Sequence, residues 1–241
     1  MIMNTNEISG KRQMEFLAGF DYIREAGTAG EEKAAALIQE TLSSFGIESR
    51  LEEFSFDTFQ IKKAKLTITE PYTKEYTVTG YDRCANTAED GLKVPFVYAE
   101  NGDDISLAQV KGKIVMVNDP VRKDMYQKLV KAGAVGFISI AGSPLDEGVD
   151  LIPRAYGLPK NLPGEEKKAA GKEAQNYDNR IPGVSIHYKD AIELVTKGAS
   201  QACLVVEQET VTRTSRNVVA RIEGTDKAEE ILTLTAHYDS V

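Results

Sequence analysis

Two apolar runs constrain this chain most. Ile114-Val115-Met116-Val117 and Val135-Gly136-Phe137-Ile138-Ser139-Ile140 each read as a strand buried on both faces. Between them, residues 124–132 have helical character and are closed by Gly133. A strand–helix–strand order of this kind is a parallel pair with a crossover, so the fold class is α/β.

The flanks extend the pattern. Residues 11–25 place Met14, Leu17, Ala18 or Phe20, and Ile23 at helical spacing. A break at Gly27 is followed by Thr28 with Glu31 three residues later, the spacing of a capping box, and by Glu31 and Glu32 in a first helical turn. Ala34, Ala35, Ile38, Leu42 and Phe45 then make an apolar stripe that Gly46 closes. Residues 47–56 read as a strand, and 61–80 as antiparallel strands with a hairpin near Pro71. Strands are expected at 94–98, 181–186, 203–207, 215–223 and 231–236, with a helix at 188–196. Residues 141–180, rich in Pro, Gly and charge, read as a long surface loop with a short helix near 165–170. Arg154, Tyr156, Lys160 and Arg180 are its candidate contacts, and the run 165–172 reads as an exposed helix face.

Composition narrows function by exclusion. The net charge of −8 over 241 residues disfavours nucleic acid and anionic membrane as partners. No stretch approaches the roughly 20 apolar residues of a membrane span. The opening residues lack the apolar core of a signal peptide, so a cytoplasmic location is the expectation. Cys84 and Cys203 are far apart and outside any CxxC pair; they read as reduced thiols, with a disulfide between them left open.

The chemistry gathers at the other end. The apolar run Ile231-Leu232-Thr233-Leu234-Thr235-Ala236 leads into His237, with Asp239 two residues on. Open α/β sheets place functional groups at strand ends. Neutral imidazole is a good zinc ligand, and a carboxylate on its other nitrogen fixes the tautomer. Alone, a His-x-Asp is a weak signal that also fits a surface histidine beside a capping Asp or Ser. His187, the other histidine, reads as a packing or surface residue.

Six longer stretches sharpen this. Residues 217–224 (NVVARIEG), a charged turn, and 231–241 (ILTLTAHYDSV) closely resemble the zinc aminopeptidase and carboxypeptidase family that includes bacterial leucyl aminopeptidases and glutamate carboxypeptidase II, peptidase family M-twenty-eight. AGTAGEEKAAALIQETLSSFGIESRLEEF resembles that family's N-terminal helix. Between them, VKGKIVMVNDP, LVKAGAVGFISIAG and IPGVSI resemble a protease-associated (PA) domain, commonly inserted at this point. Together the resemblance covers nearly the whole chain.

The resemblance implies a partial zinc-peptidase α/β domain (residues 1–56 and 213–241) interrupted by an inserted PA-like α+β domain (57–212). It implies a peptide substrate, two zinc ions in the full-length enzyme that this fragment alone would not hold stably, and hydrolysis by a metal-activated water. His237 would be a ligand to one zinc and Asp239 the carboxylate that orients it. The bridging Asp, the Glu general base and the other ligands would lie beyond Val241, so an inactive N-terminal fragment of a zinc exopeptidase, most simply an aminopeptidase, is expected. A carboxypeptidase of acidic dipeptides stays open. Also open are a receptor-like protein without catalysis, a PA-type interaction module, and a peptidase of the related dimerisation-domain family, whose insertion follows its metal ligands instead of preceding them.

Overall fold

The computed structural model describes residues 9–145, 153, 156–162, 177–227 and 229–240. The chain divides into two compact units, Met1–Thr58 with Thr212–Val241, and Phe59–Val211.

The unit Phe59–Val211 is built on a sheet. Strand β1 (Ser49–Glu70) turns at Pro71 into β2 (Lys74–Tyr76), with Leu66 opposite Tyr76 and Ile68 opposite Lys74. This is the expected hairpin. Strands β3 (Val78–Asp82), β4 (Leu92–Tyr98), β5 (Ile114–Val117), β6 (Gly136–Ala141), β7 (Tyr156–Gly157), β8 (Gly183–His187) and β9 (Gln201–Ala220) follow. The order across the sheet is β2-β1-β9-β4-β5-β6-β8-β3-β7. Its centre, β4-β5-β6-β8, is parallel, and β9 and β3 flank it antiparallel.

Helices cover that parallel centre, as strands apolar on both faces require. All four residues of β5 are buried, as are Phe137 and Ile138 of β6 and Val184 and Ile186 of β8. Helix α3 (Lys123–Lys131) lies in the β5–β6 crossover and contributes Tyr126 and Leu129 to the core; α4 (Tyr188–Thr196), between β8 and β9, contributes Ala191 and Leu194. Gly183 is where Phe137 comes closest: a Cβ there would sit 2.0 Å from the ring.

A polar network fastens the turn after β3. Arg83 sits in the left-handed region with φ of 60°, and its N–H donates to Gln208 Oε1 at 3.1 Å. The Gln208 amide nitrogen donates to the Tyr81 and Cys84 carbonyls at 3.1 and 3.0 Å. Arg180, one of the loop residues singled out for contacts, is buried: its guanidinium donates to the Arg83 and Lys160 carbonyls at 2.8 and 3.2 Å. It is a fastening of the fold rather than a solvated binding residue. Tyr156 lies in β7, whereas Arg154 and the expected helix near 165–170 fall outside the described residues. Cys84 and Cys203 are both free thiols.

The other unit has α1 (Gly10–Ala18), α2 (Ala29–Ser44), the start of β1 and the end of β9. Helix α1 is shorter than the periodicity of residues 11–25 suggests. It closes at Gly19, whose N–H returns to the Phe16 carbonyl, and Ile23 is left exposed. The strands expected at 203–207 and 215–223 are one continuous strand, β9. The strand expected at 231–236 does not form. Ile231, Leu232 and Leu234 are 79, 87 and 88 % exposed, and among the described residues their backbone joins no ladder. A strand needs a hydrogen-bonding neighbour, and high β-propensity does not replace one. No described helix is long and apolar enough to cross a membrane.

Candidate functional site

The site is assembled at the start of α2. Thr28 has the extended backbone of an N-cap, but its hydroxyl donates backwards to the Glu25 carbonyl instead of capping the helix. Glu31 makes the reciprocal contact one residue earlier than a capping box would: its Oε2 accepts from the Gly27 N–H at 2.6 Å. Gly27 has φ of 74°, and a Cβ there would sit 2.7 Å from Arg213 Cβ, so the turn takes glycine on two counts.

Glu31 is 2 % exposed. Its other oxygen, Oε1, accepts from the Ser215 hydroxyl in a very short contact, from the Arg216 N–H at 3.3 Å and from the Tyr238 hydroxyl at 3.3 Å. Burial pushes this carboxyl up. The hydrogen bonds from Ser215, Gly27, Arg216 and Tyr238 outweigh burial and hold it below the usual carboxylate range. The N-terminal end of α2 favours the same charge.

Through Tyr238 this centre reaches the His-x-Asp segment. The Tyr238 hydroxyl donates to the Arg216 carbonyl at 2.6 Å. From the other side the Arg24 guanidinium donates to the Tyr238 carbonyl at 2.8 Å, and Arg24 and Ser240 exchange backbone hydrogen bonds. The segment is therefore held at Tyr238 and Ser240.

His237 and Asp239, the sequence-derived site residues, lie together on this clamped stretch. His237 Nδ1 is 3.3 Å from Asp239 Oδ1 and 3.2 Å from the Asp239 carbonyl oxygen. Both neighbours are acceptors, so this geometry suits a proton on Nδ1 and leaves the Nε2 lone pair outward. The imidazole is 88 % exposed. It borders a cleft of about 790 Å³ between the end of β9 and residues 230–239, and an apolar groove of about 830 Å³ lined by Phe16, Phe20, Ile38 and Leu42.

Among the described residues no group of three or more His, Cys, Asp or Glu is placed to hold a metal ion. A zinc site takes at least three protein ligands, so the donors described here do not fit a complete zinc centre. His187, the other histidine, is placed for packing. It is buried at the end of β8, and its Nδ1 accepts from the Lys189 N–H at the start of α4.

The residues that sequence reading missed are those of the clamp: Arg24, Ser215, Arg216 and the Tyr238 hydroxyl. Glu31 was visible only as a helix-start residue. The one available signal was an acidic residue at the third helical position together with a tyrosine inside the His-x-Asp segment.

No family model matches this chain, and no curated protein matches it. Solved structures do. BSAP, a zinc aminopeptidase from Bacillus subtilis, aligns over 88 % of this chain and 46 % of its own, with a TM-score of 0.62 and 21 % identity. A peptidase M28 precursor from Shewanella amazonensis aligns over 94 % of this chain and 53 % of its own, with a TM-score of 0.63 and 20 % identity. An aminopeptidase from Aneurinibacillus sp. strain AM-1 covers 88 % and 47 %, with a TM-score of 0.51 and 19 % identity. The chain thus spans about half the length of the structures it resembles. At this level of identity the likeness is one of fold: over that half, the chain has the mixed α/β fold of these aminopeptidase structures.

Proposed function

We propose that this chain is part of a zinc-dependent exopeptidase, with aminopeptidase the favoured activity, and that it supplies one metal ligand, His237, with Asp239 as the carboxylate that orients it. Zinc enters the proposal from the names of the structural neighbours and from the sequence resemblance. The observation that carries the role of His237 is its pairing with Asp239, which suits a proton on Nδ1 and turns Nε2 outward on a clamped segment. A complete centre would take its other donors, and its general base, from outside the described residues. The unit Phe59–Val211 is read as a PA-type insertion that shapes substrate access. By themselves these 241 residues do not hydrolyse peptides.

The native gene product containing these residues should cleave an aminoacyl nitroanilide, lose that activity to a chelator, and lose it to His237→Ala. Cleavage indifferent to both would sink the peptidase reading. Zinc-dependent cleavage by the 241-residue chain alone would instead show that its own residues complete the site.

A further inference from the structure

We infer that Glu31 is a positioning residue for the His237–Asp239 pair, acting through the end of β9 and the Tyr238 hydroxyl. The inference rests on the proposed role of that pair, and it adds the device that sets where the pair stands.

Three donors converge on the Glu31 carboxylate, the Gly27 N–H on one oxygen and the Ser215 hydroxyl and Arg216 N–H on the other, and the Tyr238 hydroxyl lies 3.3 Å from that second oxygen. A carboxylate accepts at both oxygens and has lone pairs for all three. A glutamine has one acceptor oxygen, and its amide nitrogen donates. Either the Gly27 N–H or the Ser215–Arg216 group would then face a donor, with nothing to accept its proton.

The geometry also shows how this reaches the pair. The Tyr238 hydroxyl has one proton, and the 2.6 Å contact to the Arg216 carbonyl takes it in preference to the 3.3 Å contact to Glu31. Glu31 holds the Arg216 N–H, the Arg216 carbonyl holds Tyr238, and Tyr238 lies between His237 and Asp239 in the chain. Arg24 fastens the opposite edge through the Tyr238 carbonyl. Neither Glu31 nor Arg24 is hydrogen-bonded to the His237 imidazole, so each acts on the pair through the backbone.

The experiment compares the 241-residue wild type with Glu31→Gln and Tyr238→Phe. The readouts are the His237 imidazole nitrogen shifts and backbone amide exchange at residues 238–240. The amides of β5 and β6 report that the other unit is folded. The expected result is loss of the Nδ1-protonated signature of His237 and exchange at 238–240 faster by about tenfold or more in both variants, with β5 and β6 unchanged. Tyr238→Phe removes one hydroxyl and leaves the α2 start intact, so it decides the matter if Glu31→Gln fails to fold. Wild-type imidazole shifts and exchange in a folded Glu31→Gln chain, or in Tyr238→Phe, would overturn the inference. Zinc titration of the native gene product containing these residues, read separately, tests the ligand role of His237. Changes in both variants, with no zinc taken up at His237 by that gene product, would retain the positioning role and remove the peptidase reading.

Discussion

The Tyr238 hydroxyl lies 2.6 Å from the Arg216 carbonyl oxygen and 3.3 Å from the buried Glu31 carboxylate, so a residue of the His-x-Asp segment is fastened to a strand and faces a helix start at once. Burial and the Glu31 charge push that phenol up to about 12, so it remains a protonated donor through the neutral range.

The same contact sets a pH dependence. Glu31 titrates below its ordinary value of 4.5 in the folded chain. A group with a depressed folded pKa contributes stability that is present above its unfolded value and lost as pH falls through the folded one. Denaturant unfolding of the unit holding α1 and α2 should therefore show undiminished stability from neutral pH to about 5, then a decline as acid is added below 4.5. Glu31→Gln should be less stable at neutral pH and should lack that part of the decline.

The two cysteines should react at different rates. Burial pushes the Cys84 thiol up to about 12, and it sits inside the Gln208 network. Cys203 is only partly buried. A thiol reagent at neutral pH should label Cys203 in the native protein and Cys84 only after unfolding, as peptide mapping would show. Labelling of Cys84 at the rate of Cys203 would contradict the packing described.

Gln208→Ala should cost about 2–3 kcal/mol of stability, because it strands the Arg83 N–H and the Tyr81 and Cys84 carbonyls that the amide now serves. Gly183→Ala should be at least as damaging, by about 2 kcal/mol or more, because its methyl would sit 2.0 Å from the Phe137 ring. Urea denaturation of each variant measures both losses.

Native-state hydrogen exchange should separate the chain's strands. Amides of β5, β6 and β8 lie in a buried parallel ladder and should exchange slowest. Those of residues 231–235, exposed and outside any ladder, should exchange at close to free-peptide rates. Protection at 231–235 equal to that of β5 would show that this stretch does form a strand.

What the sequence revealed, and what it hid, divides along physical lines. Strands β5 and β6, helix α3 between them and the hairpin at Pro71 depend on local periodicity, and each stands close to where the pattern placed it. Where the pattern broke off, it misled. Polar residues 208–214 looked like a gap between two strands, yet β9 runs through them, with Gln208 turned inward to satisfy a distant turn. The run 231–236 has strand-like residues, but pairing is a property of two segments. His237 and Asp239 stand out in the sequence because they are neighbours in it. The Glu31 carboxylate does not, since its donors come from the α2 turn and the end of β9, and only folding brings those together.

The most direct test of the account is a zinc titration of the native gene product containing these residues, followed at the two His237 ring nitrogens. The account predicts that Nδ1 carries the proton before zinc is added, that zinc shifts Nε2 alone, and that Asp239→Asn weakens both signatures. Zinc arriving at Nδ1, or leaving the His237 ring unchanged at saturating concentration, would contradict it.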